Sequence, residues 1–365
     1  MIPLIKTLLP PKEELMPKLE KILYSGYIAQ GEAVNLFEAE FAKYIGNKNC
    51  LSVNSGTSAL HVALILAGVK RGDEVISTPL TAEPTNTVIS QTGAKIVWGD
   101  IDLNTGNLCP DSVERKITNK TKAIMAVDYA GIPINIKRFQ EIEEKYGIPI
   151  IQDSAHALGA SYNGKKLGNH FKYTTFSFQA IKHMTTIDGG MVCIKDDKEY
   201  EKAKLIRWFG IEKGVSRLEN NIHIQGYKYH MNNVNATIGL VQLESLNNTI
   251  DTYIDNGKYF DKELKGVAGL ELMNYYQNSQ PSYWLYTLKV ERRGDFINMM
   301  SENGIMASEL HKRNDVHAIF SSSKCELPNV DQFDQTWVHI PCGWWVTPKD
   351  RKKIVDCIKK GWQKI

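Results

Sequence analysis

No stretch of the 365-residue sequence stays apolar for the roughly 20 residues that a membrane helix requires, so no membrane partner is expected. The first residues, Met1-Ile2-Pro3-Leu4-Ile5-Lys6, lack the basic-then-apolar layout of a secretory leader, and the expected location is the cytoplasm. Charge of one sign is not concentrated anywhere. The 44 basic and 41 acidic residues are mixed along the chain for a formal net charge of +3, which gives no ground for nucleic-acid binding. The small cluster Arg351-Lys352-Lys353 reads as the solvated face of a helix. The six cysteines, Cys50, Cys109, Cys193, Cys325, Cys342 and Cys357, are scattered, without the short paired spacings of a zinc site or redox motif. They read as reduced thiols, and no metal is expected. No strand-to-helix turn carries G-x-G-x-x-G, which argues against a nicotinamide dehydrogenase. Repeats and low-complexity segments are also missing.

What remains is the composition of a globular protein, 42% apolar and 23% charged, in a chain long enough for two lobes. Amphipathic spacing predicts helices from Glu13 to Tyr24 and from Ala33 to Tyr44, with Gly26 and Gly31 punctuating the segment between them. Short β-branched runs then alternate with helical stretches. Cys50–Val53, Glu74–Ser77, Lys95–Trp98, Ala123–Val127 and Ile148–Gln152 read as buried strands, the pattern of a largely parallel α/β sheet. After Met231 a long helical pattern runs through Leu246 towards Tyr259. The remainder mixes strands such as Leu285–Val290 with helices such as Lys349–Trp362. The expected division is a large domain over residues 1–246 and a small α+β domain over residues 247–365, with no flexible linker between them.

Three places along the chain carry chemistry. After the strand ending at Val53 comes Asn54-Ser55-Gly56-Thr57-Ser58, then a helical pattern; small residues at a helix start offer free N–H groups and hydroxyls to a phosphate. An ordinary capped helix fits that stretch equally well. Asp153 follows Pro149-Ile150-Ile151-Gln152 at the carboxyl end of a strand, where open α/β sheets place ligands. A carboxylate there suits a pyridinium nitrogen, although a helix cap is the alternative. Finally, Thr175-Phe176-Ser177-Phe178-Gln179-Ala180-Ile181-Lys182 precedes the pair Gly189-Gly190. A lysine in such an apolar, hydroxyl-rich stretch is a candidate for the desolvated amine that Schiff-base chemistry needs.

Taken in order, these motifs resemble the DegT/DnrJ/EryC1/StrS sugar aminotransferases. Gly226-Tyr227-Lys228-Tyr229-His230-Met231, Gln242-Leu243 and Ile340-Pro341-Cys342-Gly343-Trp344-Trp345 extend the resemblance over nearly the whole chain. The resemblance implies a pyridoxal-phosphate-dependent transferase of fold type I, with a mostly parallel seven-stranded sheet in the large domain and a smaller C-terminal α+β domain. It implies pyridoxal 5'-phosphate as cofactor, pyridoxamine 5'-phosphate as its amino-carrying form, glutamate as donor and a nucleotide-linked keto sugar, 4-keto-6-deoxy by family frequency, as acceptor. Lys182 would be the Schiff-base lysine and general acid/base, Asp153 the partner of the pyridine nitrogen, and His156 the contact to the ring's 3-oxygen. Thr57, Ser58 and Ser177 would hold the phosphate.

Two positions depart from the family pattern. Glu83 stands where an aromatic side chain often covers the cofactor ring. Lys228 replaces an asparagine that reaches the phosphate of the other subunit, which implies a homodimer with shared active sites. Gly26, Tyr27, His311, Arg313, His317 and Trp345 are further candidates for shaping the sugar pocket. A sugar 3-dehydratase of the same family would have histidine in place of Lys182; His183 would have to shift by one residue to serve. A non-catalytic protein on the same fold would have no need of both Lys182 and Asp153.

Overall fold

The buried β-branched runs assemble into one seven-stranded sheet in the computed structural model, which describes residues 1–362. Its first five strands are β1 (Cys50–Val53), β2 (Glu74–Ser77), β3 (Lys95–Trp98), β4 (Thr121–Val127) and β5 (Ile150–Asp153), followed by Tyr173–Ser177 and Gly190–Ile194. The spatial order is β1, Gly190–Ile194, Tyr173–Ser177, β5, β4, β2, β3. Gly190–Ile194 is antiparallel to both of its neighbours; the other pairings are parallel. The five runs read as strands from the sequence are all strands, with β4 beginning earlier and β5 ending later than expected. Every residue of β1 and β5 is buried, as a sheet covered by helices on both faces requires.

Four early helices matter for the site: α1 (Lys12–Leu23), α2 (Glu32–Ile45), α3 (Gly56–Leu66) and α4 (Glu83–Gln91). Helix α2 buries Val34, Phe37, Phe41 and Ile45, a helical-period stripe, and stops at Gly46 in the left-handed conformation with φ 80°. Burying each phenylalanine contributes roughly 1.5–3 kcal/mol. The stripe lies against the long helix Asn233–Glu263, where Gly239 lets the backbones approach: a Cβ there would sit 2.6 Å from the Phe37 ring.

That long helix runs without a break through Leu246, so the division anticipated at residue 246 falls inside it. Beyond it, Leu270–Leu272, Tyr286–Val290 and Trp337–Ile340 form an antiparallel sheet. The sheet shares a core with the helices Arg293–Glu302 and Pro348–Gly361. The amino-terminal segment crosses to this part: Ile2 N donates to Gly304 O at 2.8 Å, and Trp345 Nε1 donates to Pro3 O at 2.9 Å. Leu8 O accepts a bond of 2.7 Å from Gln242 on the long helix. Among the described residues no helix is long and apolar enough to cross a membrane.

Candidate active site

The carboxyl ends of β1, β5 and Tyr173–Ser177 open into one cavity of about 370 Å³ lined by Ser55, Thr57, Asp153, His156, Ser177 and Lys182. The three sequence segments are therefore parts of one place, at the strand ends where α/β sheets bind ligands.

The floor of the cup is the start of α3. Ser55 caps the helix by accepting the Ser58 N–H at 3.0 Å, while the first-turn amides of Gly56 and Thr57 have no partner within the helix. Gly56 is required by close approach: a Cβ there would lie 2.8 Å from Ser177 Cβ. Ser58 stands at the same helix start. Its hydroxyl donates to Asn54 Oδ1 at 2.7 Å, closing the turn, and Ser58 does not line the cavity.

Asp153 is buried, and its carboxylate accepts from Thr85 Oγ1 at 2.8 Å and from the Ala155 N–H at 3.1 Å. Burial pushes its pKa above the usual carboxylate range, against those bonds and the pull of Lys182. Lys182 follows the strand Tyr173–Ser177 in a tight loop closed by Phe178 N–H to Gly189 O at 2.8 Å. Its Nζ lies 4.2 Å from the centroid of the buried Trp284 ring, and burial brings the amine down to about 7 while Asp153 acts in the opposite sense.

His156 stacks on the same indole, with ring centroids 4.1 Å apart at 17°. Its buried Nδ1 has no hydrogen-bond partner, and burial, then Lys182, hold its pKa well below the usual imidazole range. Trp284 itself is fixed by Nε1 donating to Ile181 O at 2.9 Å.

Other candidates separate clearly. Glu83 and His311 line the cavity. The Glu83 carboxylate sits between two imidazoles, 4.0 Å from His311 Nδ1 and 3.9 Å from His317 Nε2. Lys228 is exposed and lies outside the cavity; its carbonyl accepts from Asn54 Nδ2 at 3.2 Å, so it borders the cup from the surface. Gly26 and Tyr27 are exposed on the turn after α1 and do not line the cavity. Arg313 is taken up by Asp315 at 2.7 Å and Asp331 at 2.6 Å, and Trp345 by the amino-terminal strap; neither reaches the cavity. Sequence reasoning missed Thr85, which orients Asp153, and Trp284, which lies under Lys182. It also missed Asn314, which clasps α4 through Asn86 Nδ2 to Asn314 Oδ1 at 2.8 Å and Asn314 Nδ2 to Thr81 O at 2.8 Å. Nothing local in the sequence signals any of these, since each partner is remote along the chain.

The donor set fits pyridoxal phosphate. An amine near neutral pKa, a buried carboxylate with no cation bonded to it, a helix start with free amides and an unpartnered imidazole nitrogen face one volume. Among the described residues no group of three or more histidines, cysteines or carboxylates is arranged to hold a metal ion.

The sheet and the arrangement at its strand ends are those of the aminotransferase class of fold type I. Within that class the chain belongs to the DegT/DnrJ/EryC1/StrS aminotransferase family, whose model matches residues 11–359. Among solved structures it is similar to AtS13 from Actinomadura melliaura, 39% identical with TM-score 0.95, covering 99% of both chains. It is also similar to the sugar aminotransferase CalS13 from Micromonospora echinospora, 36% identical with TM-score 0.96, covering 99% of this chain and 100% of that one. Spr1654 from Streptococcus pneumoniae, solved in a PLP form, is 26% identical with TM-score 0.89, covering 98% of each chain. A PMP form of the same protein also matches. The chain is thus an enzyme of the transaminase type, in a family of sugar aminotransferases.

Proposed function

We propose that this enzyme uses pyridoxal 5'-phosphate, with pyridoxamine 5'-phosphate as the amino-carrying form, to transfer an amino group from glutamate to a nucleotide-linked 4-keto-6-deoxy sugar. The observation that carries the reading is the meeting of Lys182, whose amine burial brings to about 7, with the buried Asp153 in a cavity that ends in a phosphate cup. The PLP and PMP forms of Spr1654 support the cofactor, and the name of CalS13 supports a sugar substrate.

When bound, pyridoxal phosphate supplies an electron sink and a carrier for the amino group. The Gly56 and Thr57 amides, with the Thr57 and Ser177 hydroxyls, hold the phosphate at the positive end of α3. Asp153, kept in place by Thr85, holds a proton on the pyridine nitrogen, and His156 offers Nδ1 towards the 3-oxygen. Lys182 binds the cofactor, then takes the proton from the donor's Cα and later returns one to the sugar carbon, for which an amine near neutrality is suited. The Trp284 face keeps the released amine beside the reacting atoms. Lys228, exposed at the rim of the cup, reaches the phosphate of a second subunit in a homodimer. Gly26 and Tyr27, both exposed, are candidates for shaping the sugar pocket. The free cysteines support a cytoplasmic location.

The dehydratase alternative gains no support. His183 is buried with Nε2 bonded to Ser282 O at 3.0 Å and does not line the cavity. The deciding experiment is an absorbance spectrum of wild type and Lys182→Ala with cofactor, before and after glutamate, and then with a panel of keto sugar nucleotides. A band bleached by glutamate and restored by one sugar nucleotide, absent in Lys182→Ala, is the expected result. A band that glutamate leaves unchanged would overturn the reading.

A further inference from the structure

A carboxylate inside a site for anionic molecules needs a reason. Glu83 is the first residue of α4 and lines the cavity together with Lys182 and His311. It makes no direct bond to either imidazole: the nearest approaches are 4.0 Å to His311 Nδ1 and 3.9 Å to His317 Nε2, both beyond hydrogen-bond length. The segment that carries His311 is anchored beside α4. Asn314, between the two histidines in sequence and fully buried, is tied to Thr81 and Asn86 on either side of Glu83. His311 lies parallel to His156, with ring centroids 5.9 Å apart at 11°, and to Trp284, at 6.3 Å and 13°. His311 is thus a fixed wall of the site, and the half-exposed Glu83 side chain faces it.

We infer that Glu83 and His311 together bind, from the cavity side, a free ring hydroxyl of the acceptor sugar, so that this pair selects acceptors that keep a hydroxyl on the edge facing α4. A 4.0 Å separation is too long for a direct bond, but a hydroxyl oxygen seated on the cavity side of the pair, about 2.8 Å from each atom, can donate to the carboxylate and accept from the imidazole N–H. Burial lowers the His311 pKa to about 4, so near neutral pH the imidazole has one N–H to donate and no charge. His317, outside the cavity lining, comes to 3.9 Å of the other carboxylate oxygen. Charge settles which substrate is meant. A carboxylate repels the diphosphate of a nucleotide sugar and both carboxylates of glutamate, and the donor's amino group is engaged at Lys182, which leaves the sugar hydroxyls as the groups it attracts. Trp284, which carries Lys182 on its face, is also the neighbour of His311, so the pair lies within reach of one hexose whose reacting carbon meets Lys182.

This inference rests on the acceptor being a sugar. It is tested by calorimetric binding of a nucleoside-diphosphate 4-amino-4,6-dideoxyhexose and of its 2-deoxy and 3-deoxy analogues. The titrations use cofactor-loaded wild type, Glu83→Ala and Glu83→Gln, with thermal melts confirming the fold of each variant. Wild type is expected to bind one deoxy analogue roughly tenfold or more weakly than the parent, since a hydrogen bond to a charged group is lost. Glu83→Ala should erase that difference, and Glu83→Gln, which keeps one acceptor oxygen, should restore part of it. Equal binding of all three compounds by wild type, or a preference that survives in Glu83→Ala, would overturn the inference. Failure of glutamate to bleach the wild-type band would overturn the aminotransferase reading instead, and the hydroxyl preference would stand apart from it.

Discussion

The Lys182 amine and the Trp284 indole are in face contact, Nζ to ring centroid 4.2 Å, and His156 stacks on the same indole at 4.1 Å. One buried ring therefore positions both groups. Trp284→Ala should destabilise the protein by roughly 3–5 kcal/mol, as loss of a buried Trp does. Trp284→Phe should cost less, while removing the bond to Ile181 O that holds the Lys182 loop. Denaturant melts give the first quantity. Cofactor affinity, expected to fall in both variants, gives the second; an unchanged affinity in Trp284→Ala would contradict the platform role.

Cofactor loading should follow the titration of Lys182. The amine must be neutral to attack an aldehyde, and burial depresses its pKa from 10.5 to about 7. The neutral fraction therefore rises with pH through about 7 and saturates above it, where an exposed lysine would still be charged. Asp153 favours the charged form, so Asp153→Asn should move the midpoint lower. Stopped-flow absorbance across pH measures both. A midpoint near that of an exposed lysine would refute the assignment.

Asn314 joins the segment that follows His311 to α4 and the turn before it through two bonds of 2.8 Å. Asn314→Ala takes one partner from the Thr81 carbonyl and leaves one N–H of Asn86 unpaired in a buried setting, for a loss of about 1–3 kcal/mol in a chemical melt. Because the same clasp sets His311 against Glu83, the KM for the sugar should rise more than the KM for glutamate.

If Lys228 serves the neighbouring subunit, two defective proteins should repair each other. A heterodimer of Lys182→Ala with Lys228→Ala has one site with neither lysine and one with both. Random pairing then restores about a quarter of the sites. Activity of the co-expressed mixture at limiting cofactor measures this; no recovery above the single variants would place Lys228 within its own site or outside both.

The strand-forming runs were legible because burial on both faces imposes β-branched residues in short blocks, and β1 to β5 follow from that alone. Tyr173–Ser177 was harder to see as a strand, because Thr174 and Thr175 give it the polarity of a loop although both are buried. At the site, Asp153 and Lys182 could be found because strand ends and a desolvated lysine leave local marks. Trp284 could not: its place under Lys182 depends on a fold that brings together residues far apart in the chain. The Ser58 hydroxyl shows a related limit, since sequence reveals a hydroxyl at a helix start but not that it turns to Asn54.

The amino-terminal strap bears on how the enzyme is handled. Ile2 is bonded to Gly304, Pro3 and Lys6 accept the indoles of Trp345 and Trp344, and Leu8 accepts Gln242. Residues 2–8 thus work as stitching between the small lobe and the long helix. A protease that cuts within residues 2–8 would open that seam and loosen the antiparallel sheet from the long helix.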